Sequence, residues 1–346
     1  ATAGGATVVV GTNGTLLSDG RLDSLVGAGV KGFALSIDSL DPVYHDRFRH
    51  GTGALSETLD AVDRVGAHGV DFLVQTTVTR GNRGELADIA AFAADRGAVA
   101  FNVYFLVTTG RGVGMRGLEP AENEAVLEEL LTLEREYRGR MMVRSKCNPQ
   151  LMRHVVDSAP DSPLLNYETR CPCGVHYCRI TPEGRVTPCP YTPVVAGDLR
   201  RQDFARVWWE SPVLRALRDG ELGGKCGRCE YREVCGGCRA RAHAESGDLL
   251  AEDASCAYVP AGGPPIRVER DTAYGRPARR ELSWAPEARE RMERIPSFVR
   301  GVVTSRVESF ARDRGLDRVT LETLAEVRRS MPVDFSRAKP FFLRDE

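Results

Sequence analysis

A chain of 346 residues with 42% hydrophobic and 27% charged side chains is long enough for about two ordinary domains with real cores. Its formal net charge of -1 gives no global field to draw in nucleic acid or an anionic membrane. No run of about eighteen apolar residues occurs and nothing at the start resembles a signal peptide, so the composition reads as cytoplasmic, with no membrane and no nucleic acid among its partners.

Five apolar runs predict strands: 7–13 (TVVVGTN), 32–38 (GFALSID), 71–79 (DFLVQTTVT), 100–107 (AFNVYFLV) and 141–147 (MMVRSKC). They are continuous rather than alternating, as expected of parallel strands covered on both faces. Helical periodicity lies between them. Leu55, Leu59 and Val62 share one face, as do Leu86, Ile89 and Ala93, and Leu127, Leu130 and Leu131 with Glu134. Gly29, Gly69 and Gly97 follow the helical stretches, where a C-terminal cap needs positive φ. The order βαβαβαβαβ predicts an α/β fold, a parallel sheet or barrel with right-handed crossovers. Chemistry in such folds sits at the carboxyl ends of the strands. Those ends carry Thr12 and Asn13, Ser36 and Asp38, Thr77 and Thr79, and Thr108 and Thr109. Each alone is as good a turn former as a ligand, but together on one rim they point to a polar ligand.

From 148 to 262 the texture changes to Cys, Pro and Gly with short elements, as where metal replaces a hydrophobic core. GGPP at 262–265 opens a linker over 263–281. A helical segment follows over 282–332, with a tail at 333–346. In it Pro286 marks a helix start, Phe298, Val302, Val303, Val307 and Phe310 form a stripe, Gly315 is a stop and Thr320 caps a last helix. A three-helix module this small supplies only about 3–5 kcal/mol of core.

Nine of the ten cysteines fall between Cys171 and Cys256, the tenth being Cys147. Clustering without an export signal favours metal over disulfides. A zinc ribbon separates its two C-x2-C knuckles by about 15 to 20 residues, whereas five separate Cys229 from Cys235. The run Cys226, Cys229, Cys235, Cys238 suits iron–sulfur ligation, and Cys171, Cys173, Cys178 and Cys189 form a second group. Arg228, Arg232, Arg239 and Arg241 would offset the negative charge of a tetrathiolate cluster. His45 reads as packing or capping. His176 and His243 stand beside the cysteines, where a hydrogen-bonded role is the simpler reading. Tyr191, Trp208 and Trp209 read as packing against the clusters. Arg111 and Arg116, on the glycine-rich loop after the fourth strand, offer planar forks suited to carboxylates.

The stretch from CPCGVHYCRITPEGRVTPCPY through KCGRCEYREVCGGCRARA to Cys256 resembles the SPASM region of radical S-adenosylmethionine maturases. That resemblance implies two auxiliary [4Fe-4S] clusters. Cys226, Cys229, Cys235 and Cys256 would hold one; Cys189 and Cys238 with two of Cys171, Cys173, Cys178 and Cys147 would hold the other. GTNGTLLSDG, VKGFALSIDSLDPVYHDRFR and QTTVTRGN resemble segments of the radical S-adenosylmethionine barrel. This implies a partial (β/α)6 barrel over 1–147, lacking its first strand and cluster loop. It also implies an S-adenosylmethionine site at Asn13, Ser36, Asp38 and Thr77, with Asp38 or Ser36 on the ribose, and a third [4Fe-4S] cluster in the complete chain. The family's C-x3-C-x2-C motif does not occur in these residues. Ala1 opens mid-pattern, so the expectation is a piece of a longer enzyme, inactive by itself.

WAPEA and IPSFVRG in the last segment resemble the C-terminal domain of the light-independent protochlorophyllide reductase B subunit, a tetrapyrrole enzyme. The expected function is a radical maturase that modifies a tetrapyrrole by haem-type side-chain decarboxylation or oxidation, fed by a ferredoxin or flavodoxin. Arg289, Arg291, Arg294 and Arg300 around Phe298 and Val299 would meet its propionates. A peptide-modifying maturase and a non-enzymatic electron-transfer scaffold are the alternatives.

Overall fold

The computed structural model describes residues 1–4, 6–167, 170–268, 280–293 and 297–330. Strands β1 (Val8–Thr12), β2 (Val30–Ser36), β3 (Asp71–Val78), β4 (Ala100–Phe105) and β5 (Met142–Lys146) form one sheet in the order of the chain. The pairs β1–β2 and β2–β3 are parallel, with Thr12 beside Leu35 and Ser36 beside Gln75. Helices α1 (Asp19–Gly27), α2 (Pro42–Arg49), α3 (Ala54–Ala67), α4 (Leu86–Asp95) and α5 (Pro120–Tyr137) fill the connections. This is the α/β alternation expected of the sequence. The second strand runs two residues earlier than its apolar run, so Asp38 lies in the loop beyond it. Its amide donates to His45 Nδ1 at 3.2 Å instead of to the ladder.

The amphipathic faces are buried as their spacing requires. Leu55 and Val62 of α3, Leu86, Ile89 and Ala93 of α4, and Leu127, Leu130 and Leu131 of α5 are all buried. Glu134, polar among them, is buried too and pairs with Arg138 at 2.9 Å one turn on. The capping glycines Gly29, Gly69 and Gly97 take φ of 90°, 64° and 81°. α2 begins at Pro42 because Asp41 accepts the Val43 amide at 2.9 Å and proline loses no bond there.

The chain divides into two compact units. One comprises 1–104 and 130–144 with the C-terminal part of the chain; the other comprises 105–129 and 145–270. In the second unit α6 (Leu151–Ser158) and α7 (Leu164–Tyr167) precede a small antiparallel sheet of β6 (Arg179–Ile180), β7 (Arg185–Thr187) and β8 (Gly197–Asp198). Then come α8 (Phe204–Glu210), α9 (Pro212–Asp219), α10 (Gly224–Arg228) and α11 (Arg239–Ser246). Its apolar cluster contains cysteines: Cys173, Cys189 and Cys238 pack with Val107, Leu217 and Ala240. Tyr191 joins that cluster, as expected. Trp209 does not: it is 66% exposed, under the Arg218 guanidinium.

The C-terminal segment has the three expected helices, α12 (Pro286–Glu293), α13 (Ser297–Asp313) and α14 (Leu321–Ser330). Unforeseen is a two-residue parallel pairing of β9 (Ser283–Trp284) with β10 (Arg318–Val319). Trp284, Ala288, Met292, Val307, Ala311 and Val327 make its core, with Val303 and Phe310 against it. Glu308 lies inside, accepting from the Glu281 and Leu282 amides and the Trp284 indole at 3.0, 3.2 and 2.7 Å. Thr320 accepts the Thr323 amide at 3.3 Å, the cap read from the sequence. Residues 269–279 of the linker, Arg294 and residues 331–346, the tail among them, lie outside the described residues, as do the side chains of Phe298, Val299, Arg300 and Val302. Among the described residues no helix is long and apolar enough to cross a membrane.

Candidate functional site

At the carboxyl rim of the sheet Ser36 and Thr77 are half-buried and Asn13 is exposed. Asp38 is fully buried: Oδ1 accepts the Thr77 amide at 2.8 Å and Oδ2 lies 2.5 Å from Arg49 Nη2. Its carboxylate therefore fixes the β3 end through the Thr77 amide. Asn82, which no motif singled out, locks the same loops. Its Nδ2 donates to Asp38 O at 2.6 Å and to Thr77 O at 2.9 Å, and its Oδ1 accepts the Thr79 amide at 2.7 Å. Thr79 is spent on Asn82 and on the Tyr44 hydroxyl, 2.5 Å away, which is turn chemistry. Glu85 holds the loop after β2 by accepting from Ser39 Oγ and the Leu40 amide. Gln75 stands beside Ser36 on the neighbouring strand and donates to Ala34 O at 3.2 Å. His45 is buried and neutral, because burial lowers its pKa and Nδ1 must accept the Asp38 amide.

The cysteines gather in two sets. Cys226, Cys229, Cys235 and Cys256 line one small cavity with Lys225 and Arg232. Two backbone amides aim at its sulfurs, Gly237 N at Cys235 Sγ (3.5 Å) and Asp253 N at Cys226 Sγ (3.4 Å). Lys225 Nζ donates to Cys256 O and Arg232 Nη1 to Cys229 O at 2.8 Å, while Arg239 Nη2 lies 3.9 Å from Cys226 Sγ. In the other set Cys173, Cys189 and Cys238 pack together with Cys171 against them, and the neighbouring sulfurs lower the pKa of Cys171 and raise those of Cys173 and Cys238. Cys147 borders this set with a left-handed backbone (φ 57°), its thiol pushed up to about 12 by burial. Burial likewise holds Cys256 up at about 11. Cys178 is half-buried, and burial raises its pKa.

All ten thiols are free. Among the described residues no three His, Cys, Asp or Glu converge tightly enough to hold a single metal ion. Thiolates bound to separate irons of one cluster stand wider apart than four on one ion. The donor chemistry, soft sulfur with N–H groups and cations beside it, therefore fits iron–sulfur clusters.

The same unit has a cleft of about 280 Å³ lined by Thr108, Arg116, Asn123, Arg241, Glu245 and Ser255. Arg116 and Thr108 are exposed, and neither has an ion pair or hydrogen bond among the described residues. Arg111 is exposed and does not line the cleft. Glu245 carries a raised pKa, first from burial and then from Asp253. Arg241 is buried in an ion pair with Asp253. His243, one turn from Cys238, is half-buried, and His176 is half-buried with partners of its own.

Three family models match: the radical SAM superfamily over residues 2–93, the iron-sulfur cluster-binding domain SPASM over 171–239, and the proto-chlorophyllide reductase 57 kD subunit over 284–328. The chain is 38% identical to the AdoMet-dependent heme synthase of Methanosarcina barkeri over 269 residues, covering 75% of this chain and 76% of that one. It is 35% identical to the AdoMet-dependent heme synthase of Nitratidesulfovibrio vulgaris over 279 residues, covering 77% and 76%. In fold it is similar to Streptococcus suis SuiB bound to S-adenosylmethionine, with a TM-score of 0.56 at 16% identity, over 72% of this chain and 59% of that one. With two such relatives over three quarters of its length, and with both parts of the architecture matched, the chain belongs to the radical SAM enzymes that carry a SPASM iron–sulfur region.

Proposed function

We propose that this enzyme modifies the propionate side chains of a haem-type tetrapyrrole by decarboxylation or oxidation. The observation that carries the reading is its 38% and 35% identity with proteins named AdoMet-dependent heme synthases. Bound S-adenosylmethionine and [4Fe-4S] clusters would supply a 5′-deoxyadenosyl radical and a path for the released electron, with a ferredoxin or flavodoxin as donor.

In this reading residues 1–147 hold S-adenosylmethionine through Asn13, Ser36 and Thr77. Asp38, being engaged by Arg49 and the Thr77 amide, sets the rim from behind. Residues 148–262 hold two auxiliary clusters, one on Cys226, Cys229, Cys235 and Cys256, the other on Cys171, Cys173, Cys189 and Cys238 with Cys147 beside them. The radical-generating cluster needs a C-x3-C-x2-C motif, and none lies within residues 1–346.

The cleft at Arg116 has room for a carboxylate side chain rather than for a whole macrocycle. Arg116 has no anionic partner among the described residues, so a substrate carboxylate would meet its guanidinium directly, with the Thr108 hydroxyl as a second donor. Taken by themselves and apart from this cleft, residues 282–332 are proposed to offer a tetrapyrrole apolar and cationic contact.

The test is anaerobic titration of the full chain with iron-coproporphyrin, following the Soret band. A lost charge-assisted hydrogen bond costs about 1.5–3 kcal/mol, so Arg116→Ala should weaken binding roughly tenfold or more, while Arg111→Ala should not. A chain ending at Val268 should also bind more weakly. Absence of binding by the full chain, with capture of a precursor peptide instead, would move the substrate class to peptides. Equal affinity with and without the C-terminal segment would make that segment structural.

A further inference from the structure

The run from Cys226 to Cys238 is continuous in sequence but divided in space. Its first three cysteines line one cavity, and its last packs with Cys173 and Cys189 of the other set. The chain is redirected at Gly236 and Gly237, both at positive φ (64° and 67°). A Cβ on Gly237 would lie 2.8 Å from Asp253 Cβ, 3.0 Å from Cys226 Sγ and 2.7 Å from Arg239 Nη2. Asp253 is thus pressed against the point where the run divides.

Asp253 is also bonded to a cysteine on each side of the division. Its amide donates to Cys226 Sγ at 3.4 Å, and its Oδ2 accepts the Cys238 amide at 2.8 Å. The same Oδ2 also takes Arg241 Nη1 at 3.0 Å and Gln150 Nε2 at 3.4 Å, while Oδ1 takes Ser255 Oγ at 2.8 Å. It is 0% exposed and Arg241 only 5%. A buried carboxylate with this many donors stays put, since any displacement strands several of them at once. The second guanidinium nitrogen of Arg241 donates at 2.8 Å to the carbonyl of Cys147, the non-glycine residue held at φ 57° beside the second set. Arg241 also lines the cleft that holds Arg116. None of these bonds is needed to ligate iron. All of them fix where ligands, and one wall of the cleft, stand.

We propose that Asp253, paired with Arg241, is a positioning residue shared by the two cysteine sets, fixing each relative to the other. The proposal rests on the reading that both sets hold clusters. It predicts that disturbing one side chain that ligates nothing changes both clusters together, whereas disturbing a ligand changes its own.

The experiment uses the full chain reconstituted without oxygen. Iron and sulfide are counted, and the reduced protein is examined by electron paramagnetic resonance with a redox titration. The unaltered protein should hold about eight irons and give two cluster signals; failure to bind iron refutes the cluster reading itself, before any variant is made. Cys229→Ser identifies the signal of the first set and Cys189→Ser that of the second. Asp253→Asn keeps the shape and removes the charge that Arg241 needs. It should shift both signals and both midpoint potentials, with circular dichroism showing the fold retained. A shift of only one signal, or of neither, overturns the proposal. If Asp253→Asn does not fold, Arg241→Lys decides it. Lysine keeps the charge but cannot reach Asp253 and Cys147 O together, so both signals should still move while the chain stays folded, and an unchanged spectrum refutes the shared role.

Discussion

Replacing Gly237 by alanine tests the geometry of the cysteine region through a single methyl group. Two costs can be worked from the structure. The left-handed backbone at φ 67° costs an alanine about 1–2 kcal/mol. The methyl would also stand 2.7–3.0 Å from Arg239 Nη2, Asp253 Cβ and Cys226 Sγ, where the Asp253 contact belongs to a fixed, fully bonded residue. Overpacking of this kind adds about 1–3 kcal/mol, so the total is about 2–5 kcal/mol. Gly247 supplies the control within the same unit, having φ 81° and nothing within 4 Å of where an added methyl would stand, so that Gly247→Ala bears only the backbone cost. Urea unfolding of the reconstituted protein, followed by circular dichroism alongside iron content, should place Gly237→Ala well below Gly247→Ala, with iron lost only from the former. Equal midpoints and equal iron would show that Asp253 and Cys226 do not crowd this glycine, and the division of the cysteine run at this point would have to be abandoned.

His45 gives a pH dependence whose sign follows from its burial. Its folded pKa is depressed below 6.5 because burial penalises the cation and Nδ1 accepts the Asp38 amide. Its contribution to stability is therefore full above pH 6.5 and declines as the pH falls below 6.5 towards the folded value. Urea midpoints at about pH 8 and about pH 5.5 should differ for the unaltered chain and differ less for His45→Asn, whose side-chain oxygen can accept the same bond; identical slopes would argue against it. In the C-terminal segment, Glu308→Ala leaves the Trp284 indole N–H buried without a partner, at about 1–3 kcal/mol. Glu308→Gln, which retains an acceptor, should lose less than half as much in denaturation followed by tryptophan fluorescence.

The sheet was legible because buried parallel strands advertise themselves as unbroken apolar runs. Each observed strand begins and ends within two residues of its run. The capping glycines were legible for an equally local reason, the positive φ that other residues resist. The division of cysteines into sets was not available from spacing: nothing in C-x2-C-x5-C-x2-C says that its last member leaves the others. Asp253 and Asn82 left no trace in the sequence either. Each acts through bonds to segments distant in the chain, Asp253 to Gln150 and Asn82 to Asp38 O. A lone polar residue in a loop carries no period to betray such a role. The same limit applies at Asp38: its place at a strand end pointed to a ligand contact, and nothing in the sequence showed that Arg49, eleven positions on, lies 2.5 Å from its Oδ2. The motif WAPEA, which begins at Trp284, signalled the C-terminal segment; the partner Glu308 did not, since a glutamate on a helix is ordinarily solvated.

The central claim is that the two cysteine sets each hold an iron–sulfur cluster on their own ligands, and metal analysis tests it most directly. Purified and reconstituted without oxygen, the chain should carry about eight irons with matching sulfide and a broad absorption that dithionite bleaches. Cys229→Ala and Cys189→Ala should each retain about four. Stoichiometric zinc without iron in the unaltered chain, or full iron in both variants, would contradict the account.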